Sequence, residues 1–287
     1  MFIKDVVKKE IEQVAEYNGE ICLVTCVGLD YDFALLKPFM EYYNHQGVDK
    51  FFVVTQSSPP DWESIEEADK IISLYHSQIY GWLNPYHGLP RQHIANAVVA
   101  MHVDPDAWVI SADVDEFHQY PISLRHLIGY MKKRNINYLM GEYRDRISEN
   151  GGLPVLAGEQ DLWELFPHQT SLTKNLLRTH YYKVVLHTTN VVVREGGHLV
   201  YQVIKDVKKP CNFFIPIHHF KWHSAVLPKL RERYEYMRKE KTGWRKWKRF
   251  LDHWDEHQKI MYEDYLISDT ETDILIGRLP HNIQEND

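Results

Sequence analysis

The sequence predicts an α/β fold of the doubly wound kind, and two observations carry that prediction. Apolar runs of strand length alternate with segments of helical periodicity through the first half of the chain. An acidic cluster, Asp113-Val114-Asp115-Glu116, directly follows one of those runs. Ligands of such sheets bind outside the carboxyl ends of the strands, so chemistry is expected there.

The elements follow in order. From Lys4 to Tyr17, Val6, Val7, Ile11, Val14 and Ala15 can share one helical face. Ile21 to Val27 is a near-continuous apolar run ending at Gly28, as a strand buried on both faces requires. Phe33 to His45 is a predicted helix that Gly47 stops. Phe51 to Thr55 reads as a second strand and Ile71 to Tyr75 as a third. Arg91 to His102 is helical, and Ala107 to Ala112 is the strand that delivers the acidic cluster. Further strands are predicted at 138–143, 182–187, 190–194, 199–204 and 213–217, with a Gly- and Pro-containing loop at 148–158. Two helices around Thr242-Gly243 are expected between Ala225 and Tyr262. No repeat or Pro/Gly/Ser-rich linker divides the chain. We therefore expect one domain over residues 1–287: a first half at about 1–120, a second at about 121–225 and terminal helices at about 226–265.

Composition narrows the function. The 287 residues carry a net charge of −7, which argues against a nonspecific nucleic-acid binder, since that needs a basic footprint. Three cysteines form no disulfide framework and suggest a reducing compartment. Cys22 and Cys26 read as small buried hydrophobes, and Cys211 as a loop residue. The charged N-terminus does not look like a signal peptide, and no apolar run would span a bilayer. A cytosolic protein is expected, with a membrane-peripheral position left open. Its carrier would be the basic, aromatic tail, where Arg231, Arg233, Arg238, Lys239, Lys241, Arg245, Lys246, Lys248 and Arg249 interleave with Trp244, Trp247 and Phe250. A solvated helix face is the competing reading.

Asp113 and Asp115 stand two residues apart, so on an extended backbone they point the same way. Carboxylates that close repel, and a divalent cation resolves the repulsion. Hard oxygen ligands favour Mg²⁺ or Mn²⁺, which would also neutralise a diphosphate leaving group. A phosphotransferase would need a nucleophilic Asp after the first strand, but Thr25-Cys26-Val27-Gly28 has none. A phosphate-cradling Gly-rich Lys loop is absent as well.

Trp108-Val109-Ile110-Ser111-Ala112-Asp113-Val114-Asp115-Glu116-Phe117 resembles the donor-site signature of a branch of family 2-like glycosyltransferases, one with an aspartate-x-aspartate-glutamate-phenylalanine motif. Further blocks agree in order: 39–48, Arg91-Gln92, 163–167, 183–186, Gly196-Gly197-His198 and 218–222. The resemblance covers about residues 22–233. It implies a glycosyltransferase A-type fold with a central mixed sheet, a nucleotide-diphosphate sugar donor, a divalent metal and inversion at the anomeric carbon. A carbohydrate or lipid-linked acceptor in polysaccharide or glycan synthesis would follow. Asp30 and Asp32 depart from the Asn-Glu pair of many relatives, and Asn150-Gly151-Gly152 departs from an expected Asp-Gly.

Site residues are assigned on this basis. Asp113 and Asp115, with His219, are the expected metal ligands; His218 and His223 compete with His219. Asp32, Arg91, Glu116 and His198 are expected on the donor with the two aspartates. Asp32 could equally cap the helix that follows it. The catalytic base is assigned to Glu164, whose aromatic setting between Trp163 and Phe166 would raise its pKa. Asp145, Asp161 and His198 are the alternatives. A catalytically inactive carbohydrate- or nucleotide-binding protein on the same fold is the rival reading. A metallohydrolase lacks a compact two-histidine motif.

Overall fold

In a computed structural model the described residues are 3–57, 62–83, 91–203, 209–240 and 243–267. The strands are β1 (Ile21–Gly28), β2 (Lys50–Gln56), β3 (Gln78–Leu83), β4 (Trp108–Ser111), β5 (Glu116–His118), β6 (Tyr138–Ile147), β7 (His168–Thr170), β8 (Tyr182–Thr188), β9 (Val191–Val193), β10 (Val200–Val203) and β11 (Pro210–His219). The helices are α1 (Ile3–Glu12), α2 (Leu36–His45), α3 (Trp62–Ser73), α4 (Arg91–His102), α5 (Leu124–Lys133), α6 (Leu162–Leu165), α7 (Leu172–Asn175), α8 (Val226–Lys239) and α9 (Arg245–His257).

A nine-stranded mixed sheet runs β3-β2-β1-β4-β8-β6-β11-β5, with β7 paired to β6. The β3-β2-β1-β4 half is parallel. Strand β8 runs antiparallel to both of its neighbours, β4 and β6. The chain leaves β1 for β2 on one side and returns to β4 on the other. That reversal opens a crevice above the carboxyl ends of β1 and β4, the usual ligand position in such sheets.

Alternate side chains of the central strands serve opposite faces. Leu23, Val53 and Ile110 join one core with Leu36, Phe39 and Met40 of α2 and Ala68 and Ile72 of α3. Cys22, Val24, Phe52 and Val109 join another with Val98 and Val99 of α4. This two-sided cover explains why the strands read as unbroken apolar runs. Trp222, Val226, Leu230, Trp247 and Phe250 form a third cluster that seats α8 and α9 against Ile147 and Leu172.

Three local expectations are corrected. The run from Ile71 to Tyr75 is not a strand: Ile65, Ala68 and Ile72 sit at helical spacing and belong to or flank the buried stripe of α3, and the third strand begins at Gln78. Cys211 is a buried residue of β11 rather than of a loop. Asp113 and Asp115 lie in a turn, not on extended backbone, closed by the Glu116 amide donating to the Asp113 carbonyl at 2.9 Å. Ile204, expected at the end of β10, lies outside the described residues.

Candidate active site

The apolar run Trp108–Ser111 is buried and pairs in parallel with β1, which fixes where the chain emerges. Val114, 2% exposed, then plugs into the core and turns its acidic neighbours outward. Oxygens of Asp113, Asp115 and Glu116 come within 4.8 Å of one another. They line a cleft of about 200 Å³ together with Asp32, Arg91, His198 and His219.

The three carboxylates have different partners. Glu116 is buried at 1% exposure and fully bonded. Lys183 Nζ donates to both of its oxygens, at 2.8 and 2.7 Å, Tyr143 Oη donates at 2.6 Å, and the Asp113 amide donates at 3.0 Å. Asp113 receives Lys183 Nζ at 3.0 Å and faces Arg91 at 3.6 Å. Burial opposes its charge, but Arg91 and Lys183 hold the carboxyl below its ordinary range. Asp115 faces His219 Nε2 at 3.4 Å. Burial opposes this charge too, and His219 outweighs it, keeping Asp115 well below the ordinary range.

His219 is held from behind. Its Nδ1 lies 2.9 Å from Asp145 Oδ1, and Asp145 is locked by the Thr173 amide at 2.6 Å, the Thr173 hydroxyl at 2.8 Å and Trp222 Nε1 at 3.1 Å. Burial works against an imidazolium, but Asp115 and Asp145 raise His219 to about 9. A carboxylate behind one ring nitrogen, with the other aimed at acidic ligands, is the usual support of a metal-binding histidine. The Asp113, Asp115 and Glu116 oxygens are grouped closely enough to hold a metal ion, and His219 stands against Asp115 at its edge. Glu116 is already saturated and acts by holding Lys183 and the turn. His218, one residue before His219, faces the other side of the sheet, toward Arg146 at 3.1 Å and Gln119 at 2.8 Å.

Asp32 takes the N-cap position of a short helical turn, Phe33–Leu35, without a side-chain cap bond. It pairs instead with Lys229 of α8 and lies 3.7 Å from His223. His198 donates from Nδ1 to the Tyr182 carbonyl at 2.6 Å, which leaves Nε2 as the unprotonated nitrogen. Burial pushes its pKa down to about 4, so the ring is neutral near pH 7.

No protein-family model matches the chain, and no curated protein matches it. Solved structures resemble it distantly. HddC from Yersinia pseudotuberculosis gives a TM-score of 0.37 at 12% identity, covering 75% of this chain and 99% of that one. A 1–349 fragment of S. aureus TarS in complex with UDP-GlcNAc gives 0.36 at 12% identity, covering 77% of this chain and 65% of that one. The 4-diphosphocytidyl-2C-methyl-D-erythritol synthase of Anaerococcus prevotii gives 0.30 at 11% identity, covering 60% and 73%. At these scores the likeness carries no functional weight, and the site has to speak through its own geometry.

Of the four residues considered as a base, only His198 lines the cleft. Glu164 is exposed on the four-residue helix α6, outside the cleft lining, so the burial expected to tune it is missing. Asp161 caps α6 by accepting from the Trp163 amide. Asp145 is fully enclosed behind His219.

The basic tail is also placed differently from expectation. Lys229 and Arg233 of α8 and Lys246 of α9 turn into the cleft, with Lys221 beside them. On the outer faces, Arg231 pairs with Asp255, Arg238 with Glu235 and Lys248 with Asp252. Arg249 donates to the Leu177 carbonyl. Lys241 lies outside the described residues. Among the described residues no helix is long and apolar enough to cross a membrane.

Lys183, Tyr143, Lys221 and Lys229 were not assigned to the site from sequence. Lys183 left a trace: a single lysine opening the apolar strand Lys183-Val184-Val185-Leu186 must have a buried partner, because unpaired lysines are almost never enclosed.

Proposed function

We propose that this protein is a metal-dependent glycosyltransferase of the A-type fold, moving a sugar from a nucleotide-diphosphate donor to an acceptor hydroxyl with inversion. The observation that carries the reading is the placement of Asp113 and Asp115 at the carboxyl end of β4, at the sheet's reversal point, inside a cleft edged with cations. The ordered resemblance to family 2-like transferases supports it.

A divalent ion on Asp113, Asp115 and His219 would neutralise charge on the departing diphosphate. Asp145 and Thr173 keep the His219 ring oriented. Arg91 and Lys229 bring positive charge to the same end of the cleft, and Asp32 orients Lys229 and the nucleoside side. His198 Nε2 accepts the proton of the acceptor hydroxyl as its oxygen bonds to the anomeric carbon. The bond from that carbon to the diphosphate oxygen breaks, and the nucleoside diphosphate leaves. The acceptor is a carbohydrate or a lipid-linked glycan.

Calorimetry with a panel of nucleoside diphosphates, with Mn²⁺ and then with EDTA, tests the donor half. Incubation with nucleotide sugars tests turnover. Transfer or slow metal-dependent donor hydrolysis is expected. Binding without any turnover would leave a nucleotide- or carbohydrate-binding protein on the same fold.

A further inference from the structure

The cleft holds more positive charge than its carboxylates and a donor require. Arg91, Lys183 and Lys229 are each paired, with Asp113, Glu116 and Asp32 respectively. Lys221, Arg233 and Lys246 line the same cleft, and no carboxylate lies within ion-pair distance of them among the described residues. The two lysines have aromatic contacts: Lys221 Nζ and Lys246 Nζ sit 4.7 and 4.6 Å from the centre of the Trp247 ring. Asp115 attracts Lys221, and Asp32, Asp113 and Asp115 attract Arg233 from beyond ion-pair distance, while Arg233 repels both lysines.

Unpaired cations at a half-enclosed wall cost stability, and a fold keeps them where a ligand anion completes the site. The donor does not use up this surplus. Its diphosphate and the divalent ion it would bring have opposite charges of equal size, so together they add no net charge to the cleft. The wall comes from α8, α9 and the segment after β11, and Trp247 backs it. A planar guanidinium fork beside two ammonium groups matches the oxygens of a phosphate better than a single carboxylate.

We propose that Lys221, Arg233 and Lys246 form a second anion subsite, which binds a phosphate group carried by the acceptor. The acceptor class is then a phosphorylated glycan, held by its phosphate while a neighbouring hydroxyl reaches the donor. This rests on the transferase reading above.

The test separates the two claims. The protein is first saturated with Mn²⁺ and the nucleoside diphosphate that binds best, and then titrated with inorganic phosphate and with glucose 1-phosphate in parallel. Both should bind the loaded protein. Arg233→Gln with Lys246→Gln should weaken both by more than about tenfold, leave the affinity for the nucleoside diphosphate with Mn²⁺ unchanged, and hold or raise the thermal midpoint by relieving repulsion. Phosphate that displaces the nucleotide, or substitutions that weaken nucleotide binding instead, would assign these cations to the donor and overturn the subsite. Absence of phosphate binding at millimolar concentration would overturn it too. Failure of every nucleoside diphosphate to bind would sink the transferase reading itself. Glucose 1-phosphate that binds and accepts sugar would support the acceptor source; inorganic phosphate that binds alone, with the ester excluded, would overturn it.

Discussion

Lys183 donates to both carboxylate oxygens of Glu116, at 2.8 and 2.7 Å, in a setting where the two side chains are 5% and 1% exposed. Glu116 lines the cleft and Lys183 backs it from outside the lining. Burial alone would lower the lysine's pKa, but Asp113 and Glu116 raise it and keep it charged. Removing one partner of a buried pair leaves the other charge uncompensated. Lys183→Met should therefore destabilise the fold by about 3–5 kcal/mol. Lys183→Met combined with Glu116→Gln should cost less than the sum of the single changes, measured by denaturant unfolding. Additive costs would show that the two do not act as a pair.

Metal dependence follows from the neighbouring oxygens. Asp113 and Asp115 face the cleft that the proposed donor's phosphates would enter, and both are held ionised. Nucleoside-diphosphate binding should disappear in EDTA and return with Mn²⁺ or Mg²⁺. Asp115→Asn should weaken the metal-dependent affinity by more than about tenfold, the scale on which altered metal shells act. Equal affinity with and without metal would remove both aspartates from their assigned role.

A pH effect is expected from a histidine outside the cleft lining. His187 is 1% exposed, with Nδ1 donating to the Thr188 carbonyl and Nε2 accepting from Ser111 Oγ, both at 2.9 Å. Burial pushes its pKa down to about 4. Below pH ~6.5 the unfolded chain takes up a proton that the fold refuses. Stability should thus fall as pH drops from ~6.5 toward 4, by about 1.4 kcal/mol per pH unit for one such group. His118 and His218 are held down by burial in the same way and steepen the total. His187→Gln should flatten the slope by about one proton in denaturation curves; an unchanged slope would mean that His187 protonates in the fold.

Much of the site could be read from sequence where one strand carries it. Trp108–Ser111 is buried on both faces, so its apolar run is continuous and the cluster after it is easily placed. A short apolar run inside a helix gives no such guarantee: Ile71 and Ile72 look like a strand until Ile65 and Ala68 are counted with them. Charge on a helix is harder still. The sequence shows that α8 and α9 are basic, but whether Arg233 and Lys246 face water or the cleft depends on how Trp222, Leu230 and Trp247 pack, which is tertiary. The burial expected of Glu164 failed for a related reason. Trp163 packs against His218 and Phe220 while the next residue of α6 points outward.

The assignment of the base is the most exposed of these predictions. His198 lines the cleft, its Nδ1 proton is committed to the Tyr182 carbonyl, and its neutral ring offers Nε2. His198→Gln keeps a polar side chain but removes the basic nitrogen, and transfer should fall by ~10²–10⁴-fold, the usual contribution of general-base catalysis. Donor affinity should hold, because the carboxylates and Arg91 are untouched. Glu164→Gln should transfer sugar at a near-normal rate, since that side chain lies outside the cleft lining. Asp115→Asn is the control that loses donor binding and turnover together. If Glu164→Gln collapses turnover while His198→Gln does not, α6 must close over the cleft during the reaction and the base belongs to it. If His198→Gln loses donor binding as well, the ring contacts the donor sugar rather than the acceptor, and the proton must leave by another route.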